Sequence, residues 1–387
     1  MIQKAKDLGY RTVLIDYLLD NPGKDIADIW YPESTTDIEA VYRIAKEEGV
    51  SGILAYASDP AALPAAIVCE RLGLPTNPSK SVEILGVKHK FREFLQQNGF
   101  ACPKHFSFSK DISIEDLKTK ISEFNFPIVV KPTDSSGSKG VSFLKDTSEL
   151  SKALSHAKEF SRNGILIVEE YIQRGYPNVI GGDIFVLNGE IVMNGEMDCL
   201  RERNGTGLIP IGKKWPSGLI HYQRNILYQE LQKLISLLDI KFGEFNLEVI
   251  IDSEDQPHFL ELGPRAGGNM IPIQLSDANN IDLIQANILA AMGEEIKFNP
   301  EESRDLYMTH VLHSSNDGIL QGIDIDDCIS KNIYRKVLYK NIGDKIEKFD
   351  GAGKAIGILF FKFPDYGTMD PIHSNLEDLI KVRVTGK

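Results

Sequence analysis

The segment Phe245–Asn269, FNLEVIIDSEDQPHFLELGPRAGGN, decides how the chain is read. Phe245, Leu247, Val249 and Ile251 alternate with Asn246, Glu248 and Ile250, the period of a strand packed on one face. Asp252 to Pro257 is a turn by composition. If Phe259–Leu262 returns antiparallel with its tip centred on Glu254 and Asp255, Glu248 faces Glu261 and Asn246 faces Gly263. The Cβ atoms of such a pair stand roughly 5 Å apart. Two carboxylates that close repel, so a positive group is expected between them, and Mg²⁺ carried in with a nucleotide meets that need. Arg265, in the Pro-Arg-Ala-Gly-Gly run that follows, adds a fork of donors for phosphate or carboxylate. Taken alone, the pattern equally describes a surface hairpin with two solvated glutamates, and only the other motifs decide against that.

A length of 387 residues allows two or three domains. With 43 basic against 55 acidic residues, the net charge of −12 argues against a nucleic-acid or acidic-membrane binder and confines anions to local basic pockets. Cys69, Cys102, Cys199 and Cys328 lie far apart without a C-x-x-C pair, which speaks against zinc and a disulfide framework and for a reducing cytoplasm. No apolar run approaches the roughly 18 residues of a membrane span, and no leader is expected after Met1.

In chain order, Ile2–Leu8 reads as a helix and Arg11–Asp16 as a strand. A βαβ nucleotide fold would open with a strand and a Gly-rich turn instead. The helix Asp37–Glu48, strand Ser51–Tyr56 and helix Ala61–Leu72 follow, an α/β alternation with a largely parallel sheet. A helix from Ser81 carries Lys88 and Arg92. The buried strand Phe126–Lys131 then runs into PTDSSGSKGV, whose Ser135, Ser136, Gly137, Ser138 and Gly140 can close backbone N–H groups over phosphates beside Lys131. It is not a Walker loop, and by itself it reads as a flexible turn. Ile165–Val168 leads into Glu169, Glu170, Tyr171 and Ile172, a strand end able to meet an adenine edge. Asn188-Gly189 marks a hairpin. Arg201–Gly218, with Arg203, Lys213 and Lys214, reads as one long functional loop. The tail from Tyr307 alternates strands and turns.

The joint order of these motifs resembles the ATP-grasp family of carboxylate–amine (or carboxylate–thiol) ligases. The resemblance implies a Rossmann-like pre-grasp domain over residues 1–80, with its first strand missing. It also implies a grasp domain over 81–293, whose ATP subdomain spans about 104–172, and a small β-rich cap over 294–387 like that of the biotin-carboxylase group; the fold class is α/β and α+β. It makes Lys88 and Lys131 phosphate-binding lysines, Ser135–Gly140 the mobile phosphate loop, and Glu169–Ile172 the adenine hinge. Glu248 and Glu261 become Mg²⁺ ligands, with Mn²⁺ as a substitute, and Arg265 the holder of the γ-phosphate and acyl phosphate. Lys90 competes with Lys88, which is preferred for its four-residue spacing to Arg92. The substrates implied are a small carboxylic acid, amino-acid-like by default, and an amine. Their pocket is expected among Arg265–Asn269, with Asn269 assigned to the reacting groups, the Arg201–Gly218 loop and the N-terminal domain. A homodimer is the common assembly.

Two departures stand out. The family's E-x-N-P-R reads Glu261-Leu262-Gly263-Pro264-Arg265 here, so Asn246 or a water is expected to fill the ligand place that Gly263 cannot. Gly175, Tyr176 and Pro177 occupy the region where a ribose-binding glutamate often stands. The rival functions are a nucleotide-binding module without catalysis and a phosphotransferase that stops at the phosphorylated product.

Overall fold

The computed structural model describes residues 1–135, 137, 139–201 and 209–385. It opens with helix α1 (Ile2–Asp7) and strands β1 (Val13–Ile15) and β2 (Ile29–Tyr31), which pair in parallel. Asp37 caps helix α2 (Ile38–Glu47) by accepting from the Glu39 and Ala40 amides, and α3 (Asp59–Leu72) ends at Gly73 with φ 68. The run Ser51–Tyr56, expected as a strand, joins no ladder among the described residues. Ile53 is partly buried against Val41, Ala45 and Val68 of α2 and α3, while Leu54 stays exposed. Apolar burial and backbone pairing are separate requirements, and here the first is met only in part.

The helix expected from Ser81 is two helices, α4 (Ser79–Gly86) and α5 (Lys88–Gln97). Val87 between them is extended, at φ −122 and ψ 109. Gly86 and a β-branched valine are a weak place in a helix, and the break frees the Lys88 amide to bond the Thr133 carbonyl at 2.9 Å. Next come β3 (His105–Ser109), α6 (Ile114–Lys120), β4 (Ile128–Pro132), β5 (Ser142–Leu144), α7 (Leu150–Phe160) and β6 (Ile165–Glu170). Their strands form an antiparallel sheet in the order β3-β6-β4-β5. Ile128, Val130, Leu166 and Val168 pack against Leu117, Leu154 and Ala157 of α6 and α7. Strand alternation therefore turns Lys131 and Glu169 to the opposite face.

The second sheet is built from β7 (Ile180–Leu187), β8 (Glu190–Arg201), β9 (Pro210–Trp215), β10 (Phe242–Ile251) and β11 (Pro257–Gly263). Helix α8 (His221–Leu237) precedes β10, and α9 (Ile271–Asn279) and α10 (Leu283–Met292) follow β11. After β12 (Leu306–Leu312) come β13 (Gly318–Ile325), β14 (Ile333–Leu338), β15 (Lys345–Ile346), β16 (Gly357–Phe363) and β17 (Ile380–Thr385). The order β11-β10-β7-β8-β9-β12-β16-β14 carries the sheet from the hairpin into the C-terminal part, while β15-β13-β17 form a separate small sheet. Arg201–Gly218 is thus not one loop: β8 extends to Arg201, and β9 pairs Lys213 with Cys199 on one side and Thr309 on the other. Arg203, with the rest of 202–208, lies outside the described residues, as do Ser136 and Ser138 of the phosphate loop.

In the β10–β11 hairpin Glu248 faces Glu261 and Asn246 faces Gly263. The turn, however, is centred half a residue earlier than its composition suggested, because Ile251 pairs with Pro257 and Val249 with Phe259. Continued without interruption, that register would set Glu248 against Leu260 and turn Glu261 to the other face. A bulge at Leu260 absorbs the extra residue and restores the glutamate pair.

Candidate functional site

The site lies between the Lys131 face of the small sheet and the hairpin, with the first turns of α5 joining the two. Lys88 Nζ donates to the Ser135 carbonyl at 2.7 Å and stands 3.7 Å from Glu261. Lys90 points elsewhere and pairs with Glu83 at 2.5 Å. Glu261 is also 3.9 Å from Arg265, and Glu248 is 3.7 Å from Arg201. The repulsion between the two carboxylates is therefore already relieved by flanking cations. Among the described residues no group of three or more His, Cys, Asp and Glu is placed to hold a metal ion. A cation here would rest on the glutamate pair and take the remaining oxygens of its shell from phosphate or water.

Arg92, one turn after Lys88, is fully buried and was named in the sequence only for its spacing. Its Nε donates to Glu169 at 2.8 Å, and its terminal nitrogens donate to the carbonyls of Phe259 at 3.0 Å and Leu260 at 3.1 Å. One guanidinium thus pins the bulge that sets the register of Glu261 and anchors Glu169. The other Glu169 oxygen accepts from Lys131 at 2.6 Å. Burial opposes ionisation of Glu169, but Arg92 and Lys131 outweigh it and hold the carboxyl at about 2. Burial lowers Lys131 to about 8, with Arg92 adding to the effect and Glu169 opposing it.

The expected hinge changes in consequence. Glu169 is spent on Arg92 and Lys131, and Glu170 accepts from the backbone and side chain of Asn125 at 2.8 and 3.3 Å. Neither carboxylate is open to an exocyclic amine, so this strand end has backbone groups to offer instead. Tyr171 is half-exposed and stacks edge-on against Phe143. Ile172 packs beside Val179, Ile250 and Leu260, an apolar surface next to the strand end.

Asn246 stands on the glutamate face, but its amide nitrogen donates to the Gly182 carbonyl at 3.0 Å and to Asp183 at 2.8 Å. Its oxygen is the atom left for a cation. Asp183 also accepts from the Gly267 amide at 2.8 Å, so this residue, unremarked in the sequence, fixes the run after Arg265. Arg265 itself is clasped from the N-terminal part, its Nε donating to Asp59 at 2.6 Å. Asn269 is half-buried, with φ 50, two residues before α9 begins. In the phosphate loop, the Ser135 hydroxyl donates to the Lys139 carbonyl at 2.7 Å, and Gly137 and Gly140 have φ 67 and 74. Lys213, expected in a loop, is a buried strand residue. Its amine lies 2.8 Å from the Cys199 sulfur, beside Gly181, the cross-strand partner of Glu248. A cavity of about 90 Å³ separates Arg265 and Ala266 from Tyr56, Ala62 and Ala66.

A family model described as carbamoyl-phosphate synthase L chain, ATP binding domain, matches residues 88–298, more than half of the chain. The chain belongs to this ATP-grasp family. Among ATP-grasp relatives, the 2-oxoglutarate carboxylase small subunit of Hydrogenobacter thermophilus is 24% identical over 79% of this chain and 66% of its own length. The carbamoyl phosphate synthase large chain of Caldanaerobacter subterraneus subsp. tengcongensis is 23% identical over 91% of this chain but 33% of its own. The chain thus spans two thirds or less of the length of the curated relatives it matches. Among solved structures, an L-amino acid ligase from Bacillus licheniformis superimposes with a TM-score of 0.83 at 19% identity, covering 100% of this chain and 95% of that one. At that identity the likeness establishes the ATP-grasp fold, as expected from the motifs.

Proposed function

We propose that the chain is an ATP-dependent, ADP-forming ligase that phosphorylates a substrate carboxylate and lets an amine attack the acyl phosphate, giving an amide, ADP and phosphate. The observation that carries this reading is the cross-strand pair Glu248–Glu261 with Lys88, Arg265 and Arg201 within 4 Å of its carboxylates. Transfer of a γ-phosphoryl group spreads negative charge over several oxygens, and fixed cations stabilise that charge without rearranging. Mg²⁺, or Mn²⁺ in its place, held by Glu248 and Glu261 with Asn246 supplying its amide oxygen, would neutralise the β- and γ-phosphate oxygens. Lys88 and Lys131 bind phosphate from the side of the small sheet. Arg265 binds the γ-phosphate and then the acyl phosphate, exchanging Asp59 for it, and Asn269 orients the substrate carboxylate. The loop Ser135–Gly140 covers the phosphates and keeps water from the activated acid. Ile172, Val179, Ile250 and Leu260 form the adenine surface.

The substrates in this reading are small molecules, an amino-acid-like acid and an amine. Four free cysteines suit a cytoplasmic protein, and among the described residues no helix is long and apolar enough to cross a membrane. A homodimer is the proposed assembly. The test is ADP and phosphate release with ATP and Mg²⁺ across amino acids and small carboxylic acids, offered singly and in pairs. Release that requires one particular pair, and falls by about 10²-fold or more in Glu261→Ala, is the expected result. Tight ATP binding with no release across the panel would overturn the ligase reading.

A further inference from the structure

The β8–β9 ladder sets Cys199 directly across from Lys213, with Nζ 2.8 Å from Sγ. Both residues are more than nine-tenths buried, at 4% and 7% exposure. A thiol is a weak hydrogen-bond acceptor that ordinarily keeps an amine farther off. The contact is tighter than the roughly 3–3.5 Å separation of atoms poised to react. Gly181 is what makes room for it, since a Cβ there would lie 2.3 Å from Nζ and 2.5 Å from Sγ. Cys199 nonetheless lines a cleft of about 530 Å³ whose walls include Arg174, His310 and His373, wide enough for a small oxidant.

We propose that Cys199 and Lys213 form a modification site at which a peroxide links the sulfur to the nitrogen. In the first step the thiol attacks hydrogen peroxide, giving a sulfenic acid and one water; sulfur loses two electrons and the peroxide gains them. In the second, the Lys213 amine, as its free base, attacks the sulfenyl sulfur. The S–N bond forms, the S–O bond breaks, and hydroxide leaves with the amine proton as a second water. Two equivalents of thiol reverse the reaction, returning cysteine and lysine and forming one disulfide. Burial favours the cross-link over further oxidation, because the neighbouring amine traps the sulfenic acid before a second peroxide reaches it. The link withdraws a cation from the floor beside Glu248, so it switches off phosphoryl transfer; that consequence, unlike the link itself, rests on the ligase reading.

The experiment is peptide mass spectrometry of the full chain after hydrogen peroxide treatment at mildly alkaline pH, with and without dithiothreitol. The expected product joins the Cys199 and Lys213 peptides at two hydrogens below their summed mass, and dithiothreitol abolishes it. A joined product that keeps one oxygen, an S–O–N bridge that consumes a second hydrogen peroxide and releases a third water, supports the same pair. Exposed Cys328 is the internal control, expected to gain oxygens without a lysine partner. In Lys213→Arg, Cys199 should proceed to sulfinic acid. Oxygen-bearing but unlinked Cys199 in the wild type would overturn the proposal. So would unmodified Cys199 beside oxidised Cys328, or an unchanged cross-link in Lys213→Arg. None of these outcomes depends on turnover, so the site can fail while the ligase reading stands, and the reverse.

Discussion

Lys131 and Arg92 show how much one buried group can be asked to do. Lys131 is a cation kept in the interior by a single carboxylate, and burial leaves it titrating at about 8. Above that value the lysine is neutral and the site loses a charge directed at phosphate. ATP affinity is therefore expected to fall as pH rises through 8, by up to about tenfold per unit, and nucleotide titration from neutral to alkaline pH measures it. Loss of affinity on the acid side instead would contradict the assignment. Arg92 has no such freedom, because its fork meets Glu169 and two backbone carbonyls at once. Arg92→Ala leaves one Glu169 oxygen and the Phe259 and Leu260 carbonyls without their donor and should cost about 3–5 kcal/mol in denaturant unfolding. Arg92→Lys should recover little, since a single ammonium does not reproduce the fork.

At the scale of elements, the deciding device is the bulge at Leu260. A hairpin alternates its faces with a period of two, so one residue determines whether Glu261 looks at Glu248 or away from it. Inserting one alanine after Leu260 adds a residue that the bulge does not absorb and should carry Glu261 to the opposite face. Mg²⁺-dependent nucleotide binding is then expected to drop at least as far as in Glu261→Ala, with helix and strand content by circular dichroism nearly unchanged. Retained binding in the insertion variant would mean that the glutamate pair does not hold the metal. The alternation of Phe245 to Ile251 made the strand legible, and the turn residues made the hairpin legible. The bulge was not, because it depends on Arg92, more than 160 positions away in sequence, holding the carbonyls of Phe259 and Leu260.

At the scale of the whole molecule, the N-terminal part reaches the site through the ion pair of Asp59 with Arg265. Arg265 is mostly buried and Asp59 only partly so, which places their coupling above that of a surface pair. A double-mutant cycle with Asp59→Ala and Arg265→Ala should return roughly 1–3 kcal/mol of interaction energy in unfolding experiments. Asp59→Ala alone should also alter the ATP dependence of turnover, since it releases the arginine that the γ-phosphate is proposed to take. A coupling near zero would make the clasp incidental. The same organisation explains why the C-terminal strands cannot be read as a free-standing cap: β12, β16 and β14 continue the sheet that carries the glutamates.

The sequence by itself determined what local pattern can specify. Period-two alternation, Asn-Gly and Asp-rich turns, a Gly/Ser loop after a lysine-ended strand, and their order along the chain were enough to pair Glu248 with Glu261 and to carry the resemblance to the ATP-grasp family, which in turn implied the fold and made Lys88 and Lys131 candidates. Only the tertiary structure decided the partners. Glu169 is a ligand of Lys131 and Arg92 rather than an open hinge carboxylate. Asp183 and Asp59 hold Asn246 and Arg265 in place. Lys213 is a buried strand residue against Cys199 instead of a loop lysine. Each of these is a polar group whose burial is tolerated because a specific partner arrives from a distant segment, and the stretch of sequence around a residue does not record which segment that will be.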